Sequence, residues 1–329
     1  MHRRAMKYRR IVLHSLFPVL RQFPADTAAR MVSRIGQLEY ALVPSLRQRF
    51  HQTLNRVAEH LQADWDIDQV GRELAGNQVR WRARDILLDG RGQDAIDRVI
   101  HAEGVEHLQK AYDDQRGVIL LGNHFGAHLM PAHWAVRKGY PLRLFMERPH
   151  HVSRILSSEF DTDGPMGQRD LFISRKADPA DSARSVMRAA RVLKAGYMIF
   201  IAGDVRWTDK HTVAIDFLGR PYRISTTWVA LAALSGAAVV PTFCRMNRDG
   251  THDLSFLPPY HVAARAMTQG HAGPLVHRLF AEIERRIKID PASSNDYFFW
   301  SEHDDPAYAR NRLSDWPPAN LPDEGRYAA

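Results

Sequence analysis

The chain has 329 residues, 45% of them hydrophobic and 25% charged, enough to bury a full core in one large domain or two smaller ones. Its single cysteine, Cys244, excludes an internal disulfide framework and a cysteine-based zinc cluster, and it fits a reducing compartment. The formal net charge of +8 favours acidic partners, and no zinc-finger or aromatic RNA-binding pattern accompanies it, so an anionic membrane surface or an acidic carrier protein ranks above nucleic acid.

Taken in chain order, Arg3, Arg4, Lys7, Arg9 and Arg10 precede the apolar stretch 11–20. That stretch contains a His and a Pro, is followed by no small-residue cleavage site, and is too short to span a bilayer. Two readings stand: an interfacial segment with Leu16, Phe17 and Leu20 dipping into lipid, or an amphipathic helix packed on the protein's own core. Residues 1–105 read as a helical, membrane-facing region without strands. Apolar positions at three- and four-residue spacing predict helices over 25–42 and 45–61, divided by Pro44, with Ser45 as N-cap of the second.

Between 106 and 310 the pattern changes to an α/β domain. Short apolar runs at 118–121, 142–146, 171–173, 197–202 and 237–243 alternate with helical segments, which predicts a mostly parallel sheet flanked by helices, with the helical N-terminal region packed on it. The helix from Pro179 should present Val186, Met187, Ala190 and Leu193 on one face and stop at Gly196. The uncharged stretch 224–244 reads as a buried helix ended by Gly236 and then a buried strand that holds the Cys244 thiol in the core. A further helix is expected over 273–289, and 311–329 reads as an irregular tail.

The chemistry gathers at strand ends. His124 follows the first strand, Glu147-Arg148-Pro149 the second, and Asp204-Val205-Arg206 the strand at 197–202. In a parallel sheet these ends share one rim, where such folds bind their ligands. An imidazole, a carboxylate and a guanidinium there suit acyl transfer: the imidazole deprotonates a nucleophile, the carboxylate orients it, and a cation or N–H group steadies the oxyanion.

The ordered set Asn123-His124-Phe125-Gly126, Glu147-Arg148-Pro149, Gly203-Asp204, 217–221 (Phe-Leu-Gly-Arg-Pro) and 230–241 resembles the bacterial lipid A biosynthesis acyltransferases of the lauroyl/myristoyl type, within the lysophospholipid acyltransferase superfamily. The likeness spans roughly residues 10–300. It implies a peripheral enzyme at the cytoplasmic face of a bacterial inner membrane. Such an enzyme moves a fatty acyl group from an acyl carrier protein or coenzyme A thioester to the hydroxyl or amine of a lipid or glycolipid acceptor. The thioester is its co-substrate, and no metal or other cofactor is expected.

In the family the base is the His of a His-x4-Asp/Glu motif. His124 matches it, but the position of the acid holds Leu129. Three explanations compete: Asp204, or behind it Glu147, replaces the acid; His128 takes part; or the chain is a non-catalytic relative that binds lipid or acyl carrier. His124 and Asp204 are therefore the candidate catalytic residues. Asn123, Gly126, His128 and Glu147 are candidates for substrate binding, together with the cations Arg148, Arg206 and Arg220. The aromatic group 297–300 either walls an acyl channel or packs in the core. Acceptor, chain length and oligomeric state stay open.

Overall fold

The computed structural model describes residues 19–88, 91–147, 171, 173, 179–207, 211–266 and 272–300. It opens with three helices, α1 (Ala25–Leu42), α2 (Pro44–Leu61) and α3 (Ile67–Leu88), and a short α4 (Gln93–Asp97). There follow β1 (Ile100–Glu103), α5 (Val105–Asp113), β2 (Val118–Gly122), α6 (Met130–Arg137), β3 (Leu142–Leu144), α7 (Pro179–Lys194) and β4 (Met198–Ala202). The hairpin β5 (Thr212–Phe217) and β6 (Arg220–Ser225) precedes α8 (Thr227–Ser235), β7 (Ala238–Met246) and β8 (His252–Phe256), and α9 (Ala272–Ile289) and α10 (Asn295–Phe298) close the described chain.

Among the described residues, six strands form one sheet in the order β1-β8-β7-β2-β4-β3, and only the β7–β8 pair within it is antiparallel. Side chains alternate between the two faces of a strand, and here both faces are covered. Ile119, Leu121, Ile199, Ile201 and Val239 enter one apolar cluster with α7, α8 and α9. Val118, Leu120, Met198, Phe200 and Val240 enter a second, against α5 and α6. This double burial is why β2 and β4 are nearly uninterrupted apolar runs.

Several expectations need correction. A strand, β1, lies inside the region read as purely helical; it is only four residues long, alternates apolar and polar positions, and sits at the sheet edge beside β8. The N-cap of α2 is Val43, not Ser45, because Pro44 takes the first helical position, which its fixed φ and missing N–H suit. Leu20 is buried with Ala28, Ala29, Val32 and Val79, so it packs on the protein's own helices and does not dip into lipid. Leu16 and Phe17 lie outside the described residues. Met187 is exposed, while Ala189 joins Ala190 and Leu193 in the core. Leu171 and Ile173 belong to no strand, although Ile173 N donates to Met146 O at 3.0 Å. The helix-Gly236-strand reading of 224–244 matches α8, a left-handed Gly236 and β7.

The N-terminal helices are fastened to the rest of the domain by buried polar contacts. Arg80 of α3 donates to the carbonyl oxygens of Asn247, Gly250 and Thr251 at 2.5–2.7 Å, in the turn between β7 and β8. Burial pushes its guanidinium down to about 10, but the ring of carbonyls supplies the acceptors that a buried cation needs. Asn77, one turn earlier, donates to Ala292 O at 2.9 Å. Among the described residues, no helix is long and apolar enough to cross a membrane.

Candidate active site

Parallel pairing of β2 with β4 ends at the register pair Gly122–Ala202, and Gly203 N extends the ladder by donating to Gly122 O at 2.8 Å. His124 and Asp204 each stand two residues beyond that pair. Neighbouring strands lie about 5 Å apart, so equal offsets put the two side chains within reach of each other. His124 Nδ1 lies 2.9 Å from Asp204 Oδ1. The backbone N–H of His124 donates to Asp204 Oδ2 at 2.7 Å, and the Tyr297 hydroxyl donates to the same oxygen at 2.6 Å.

Asp204 is almost wholly enclosed, whereas the His124 side chain keeps 32% of its exposure. Burial alone pushes the Asp204 carboxyl up. The charge of His124, its ring hydrogen bond, the Tyr297 hydroxyl and the His124 N–H outweigh that and hold it below its usual 3.8. Burial and the adjacent carboxylate raise the Tyr297 phenol well above its usual value, so it remains a hydrogen-bond donor. A carboxylate on Nδ1 fixes the ring's orientation and tautomer and leaves proton chemistry to Nε2.

The loop that carries His124 is tightly tied. Asn123 donates to Thr242 O at 2.8 Å and accepts from Phe125 N at 3.0 Å, so both ends of this buried amide serve the loop. Gly126 has φ +63°, pairs with Cys244, and donates its N–H to Ser293 O at 2.6 Å. A Cβ there would lie 1.8 Å from Cys244 O, so only glycine fits. The next N–H, of Ala127, donates to Cys244 O at 2.9 Å. Cys244 itself is a buried free thiol.

His128 stacks on Trp81 of α3, with ring centroids 5.4 Å apart, and accepts the indole N–H on Nδ1 at 3.3 Å. Its ring centroid is 5.0 Å from that of His124. Leu129, at the position of the motif acid, is buried in the apolar cluster on the α6 side of the sheet. Glu147 follows β3 and is half-buried, while Arg148 lies outside the described residues. Arg206 donates to Trp300 O at 3.0 Å and lies over the Trp300 and Tyr222 rings, which ties the segment after β4 to the C-terminal aromatic group. Arg220 begins β6, directly after the tight turn at Leu218 and Gly219, both of positive φ.

Residues 297–300 are buried in the main core, where Tyr297 meets Phe217 and Trp300 edge-on. Sequence reasoning missed the additional role of Tyr297. It lies 93 positions from Asp204, and no local spacing announces the contact. No group of three His, Cys, Asp or Glu side chains able to hold a metal ion occurs among the described residues.

A comparison with curated proteins finds no match. The sequence model of the family described as bacterial lipid A biosynthesis acyltransferase, however, matches residues 2–300 and so takes in every side chain of this site. The chain therefore belongs to the bacterial lipid A biosynthesis acyltransferase family.

Proposed function

We propose that this acyltransferase-family protein is catalytically active and transfers a fatty acyl group from an acyl carrier protein or coenzyme A thioester to a hydroxyl, or an amine, of a lipid or glycolipid. The observation that carries this reading is the 2.9 Å contact between His124 Nδ1 and Asp204 Oδ1. The alternative, a non-catalytic binder, draws on Leu129. Asp204 answers it by giving the imidazole, from the next strand, the carboxylate that position 129 lacks.

In this reading His124 Nε2 takes the proton of the acceptor O–H while that oxygen attacks the thioester carbonyl carbon. The C=O π pair moves onto the carbonyl oxygen. As the tetrahedral intermediate collapses, the C–S bond breaks and the leaving thiolate takes the proton from His124 Nε2. Asp204 keeps its charge throughout and steadies the imidazolium. The thioester is a co-substrate, and the steps require no further cofactor.

The place of work we propose is the cytoplasmic face of a bacterial inner membrane, as a peripheral protein. Two features support this. The chain carries a +8 charge. In addition, α1 turns Met31, Leu38 and Leu42 outward on one side while Ala28, Ala29, Val32 and Tyr40 face the core.

The test is turnover of a long-chain acyl thioester by purified protein with a bacterial lipid extract. His124→Ala should abolish acyl-lipid formation. Asp204→Asn should cut kcat by on the order of 10⁴, the scale seen when a base loses its orienting carboxylate. Lipid binding without turnover in the native chain would favour the binder, and fatty acid released without an acceptor would favour a hydrolase.

A further inference from the structure

The sheet stops short of the reacting groups. Strands β2 and β4 part at the register pair Gly122–Ala202, so the 2.9 Å between His124 Nδ1 and Asp204 Oδ1 has to be held from beyond the ladder. Rates are sensitive to such placement, and a shift of about 1 Å can cost on the order of 10²-fold. One short stretch, from Asp290 just after α9 to Tyr297 in α10, holds both sides. Ser293 O accepts from Gly126 N, two residues beyond His124, at 2.6 Å. Four positions after Ser293, the Tyr297 hydroxyl donates to Asp204 Oδ2 at 2.6 Å.

This stretch is itself fixed at Ser293. Pro291–Ser293 form a buried 3₁₀ turn. The Ser293 hydroxyl donates to Asp290 Oδ2 at 2.8 Å and accepts from Met246 N, in β7, at 3.2 Å. Arg245 Nε, the preceding residue of β7, donates to the same Asp290 oxygen at 2.9 Å. An ion pair with so exposed an arginine adds little stability, but it aims a carboxylate oxygen at a buried hydroxyl. With its donor and an acceptor lone pair both used, the serine keeps one orientation. The adjacent carbonyl, of Ala292, is taken by Asn77 of α3 at 2.9 Å. Ser294 gives the contrast: its hydroxyl is as deeply buried but meets no hydrogen-bond partner among the described residues.

We propose that Ser293 and Asp290 are positioning residues for acyl transfer: with Tyr297 they form a brace that sets the separation of His124 from Asp204, Ser293 fixing the loop of the imidazole and Tyr297 fixing the carboxylate. They act through Gly126 and Asp204, and the path of the proton is that given for His124. The inference rests on the acyltransferase reading.

Steady-state kinetics on the full chain, with a long-chain acyl-CoA and bacterial lipid extract, test it. Ser293→Ala should lower kcat by about tenfold, with donor KM changed by no more than about threefold. Asp290→Ala should act alike, and Asp290→Asn, which keeps an oxygen acceptor for the hydroxyl, should recover most of the loss. Ser294→Ala deletes a neighbouring buried hydroxyl that ties nothing, and should leave kcat within about twofold. If the two ends of the brace set one distance, Ser293→Ala should cost no more than about threefold in kcat once Tyr297→Phe has loosened the other end. If Ser293→Ala fails to fold, the Asp290 variants take its place in the same cycle. Unchanged kcat in the Ser293 and Asp290 variants, an effect on KM alone, an equal loss in Ser294→Ala, or penalties that multiply in full with Tyr297→Phe overturns the proposal, while a dead His124→Ala preserves the acyltransferase reading. Absence of turnover in the unsubstituted chain overturns both.

Discussion

At the scale of single residues, Asp204 concentrates the most consequence. Its two oxygens accept from a ring nitrogen, a backbone N–H and a phenol, three partners from two distant segments. Removing the phenol by Tyr297→Phe takes one donor from a buried carboxylate. The expected result is a fall of about ten- to a hundredfold in kcat and a loss of about 1–3 kcal/mol in a urea melt. The carboxyl also has a pH signature. Its folded value is depressed below 3.8, so the stability it contributes is complete above that value and drains away as pH falls through the folded value. Melting temperature should therefore drop more steeply for the native chain than for Asp204→Asn on going from about pH 6 to about pH 3, when both are followed by circular dichroism. The sequence singled out Asp204 because it follows an apolar run as His124 does, and equal standing at two strand ends is a linear signal. Tyr297 carries no such signal, since its segment is brought in by packing alone.

At the scale of elements, the loop 123–129 depends on close approach. Gly126 lets the chain pass within van der Waals range of β7 at Cys244. Gly126→Ala should cost upward of about 2 kcal/mol, because φ +63° and a Cβ at 1.8 Å from a carbonyl oxygen both oppose it. A lower urea midpoint with loss of turnover would register it. The buried strands β2, β4 and β7 were legible because burial on both faces leaves near-continuous apolar runs. The strands that escaped, β1, β8 and the β5–β6 hairpin, mix polar and apolar positions over only four to six residues. The hairpin also contains Pro221 and a left-handed Leu218, neither of which reads as strand. Likewise the acid position of the motif resolved into an apolar anchor: Leu129 is buried in the core beside the start of α6.

At the scale of the whole molecule, one helical layer is joined to the β7–β8 turn through Arg80 and to the segment after α9 through Asn77, and turns an apolar stripe outward on α1. If that stripe meets lipid, charging it should separate membrane attachment from chemistry. The double substitution Leu38→Glu and Leu42→Glu should weaken sedimentation with phosphatidylglycerol vesicles by about tenfold or more, with turnover of a detergent-dispersed acceptor retained. Composition and charge pointed to an anionic surface as partner but named no face for it, and of the segment expected to dip into lipid the last residue, Leu20, packs inward. The register of β2 with β4 has a last implication. The imidazole of His124 and the carboxylate of Asp204 are yoked by adjacent backbones, so the contact between them asks nothing of the residues that lead into helix α6, and Leu129 is left to anchor that helix in the apolar core.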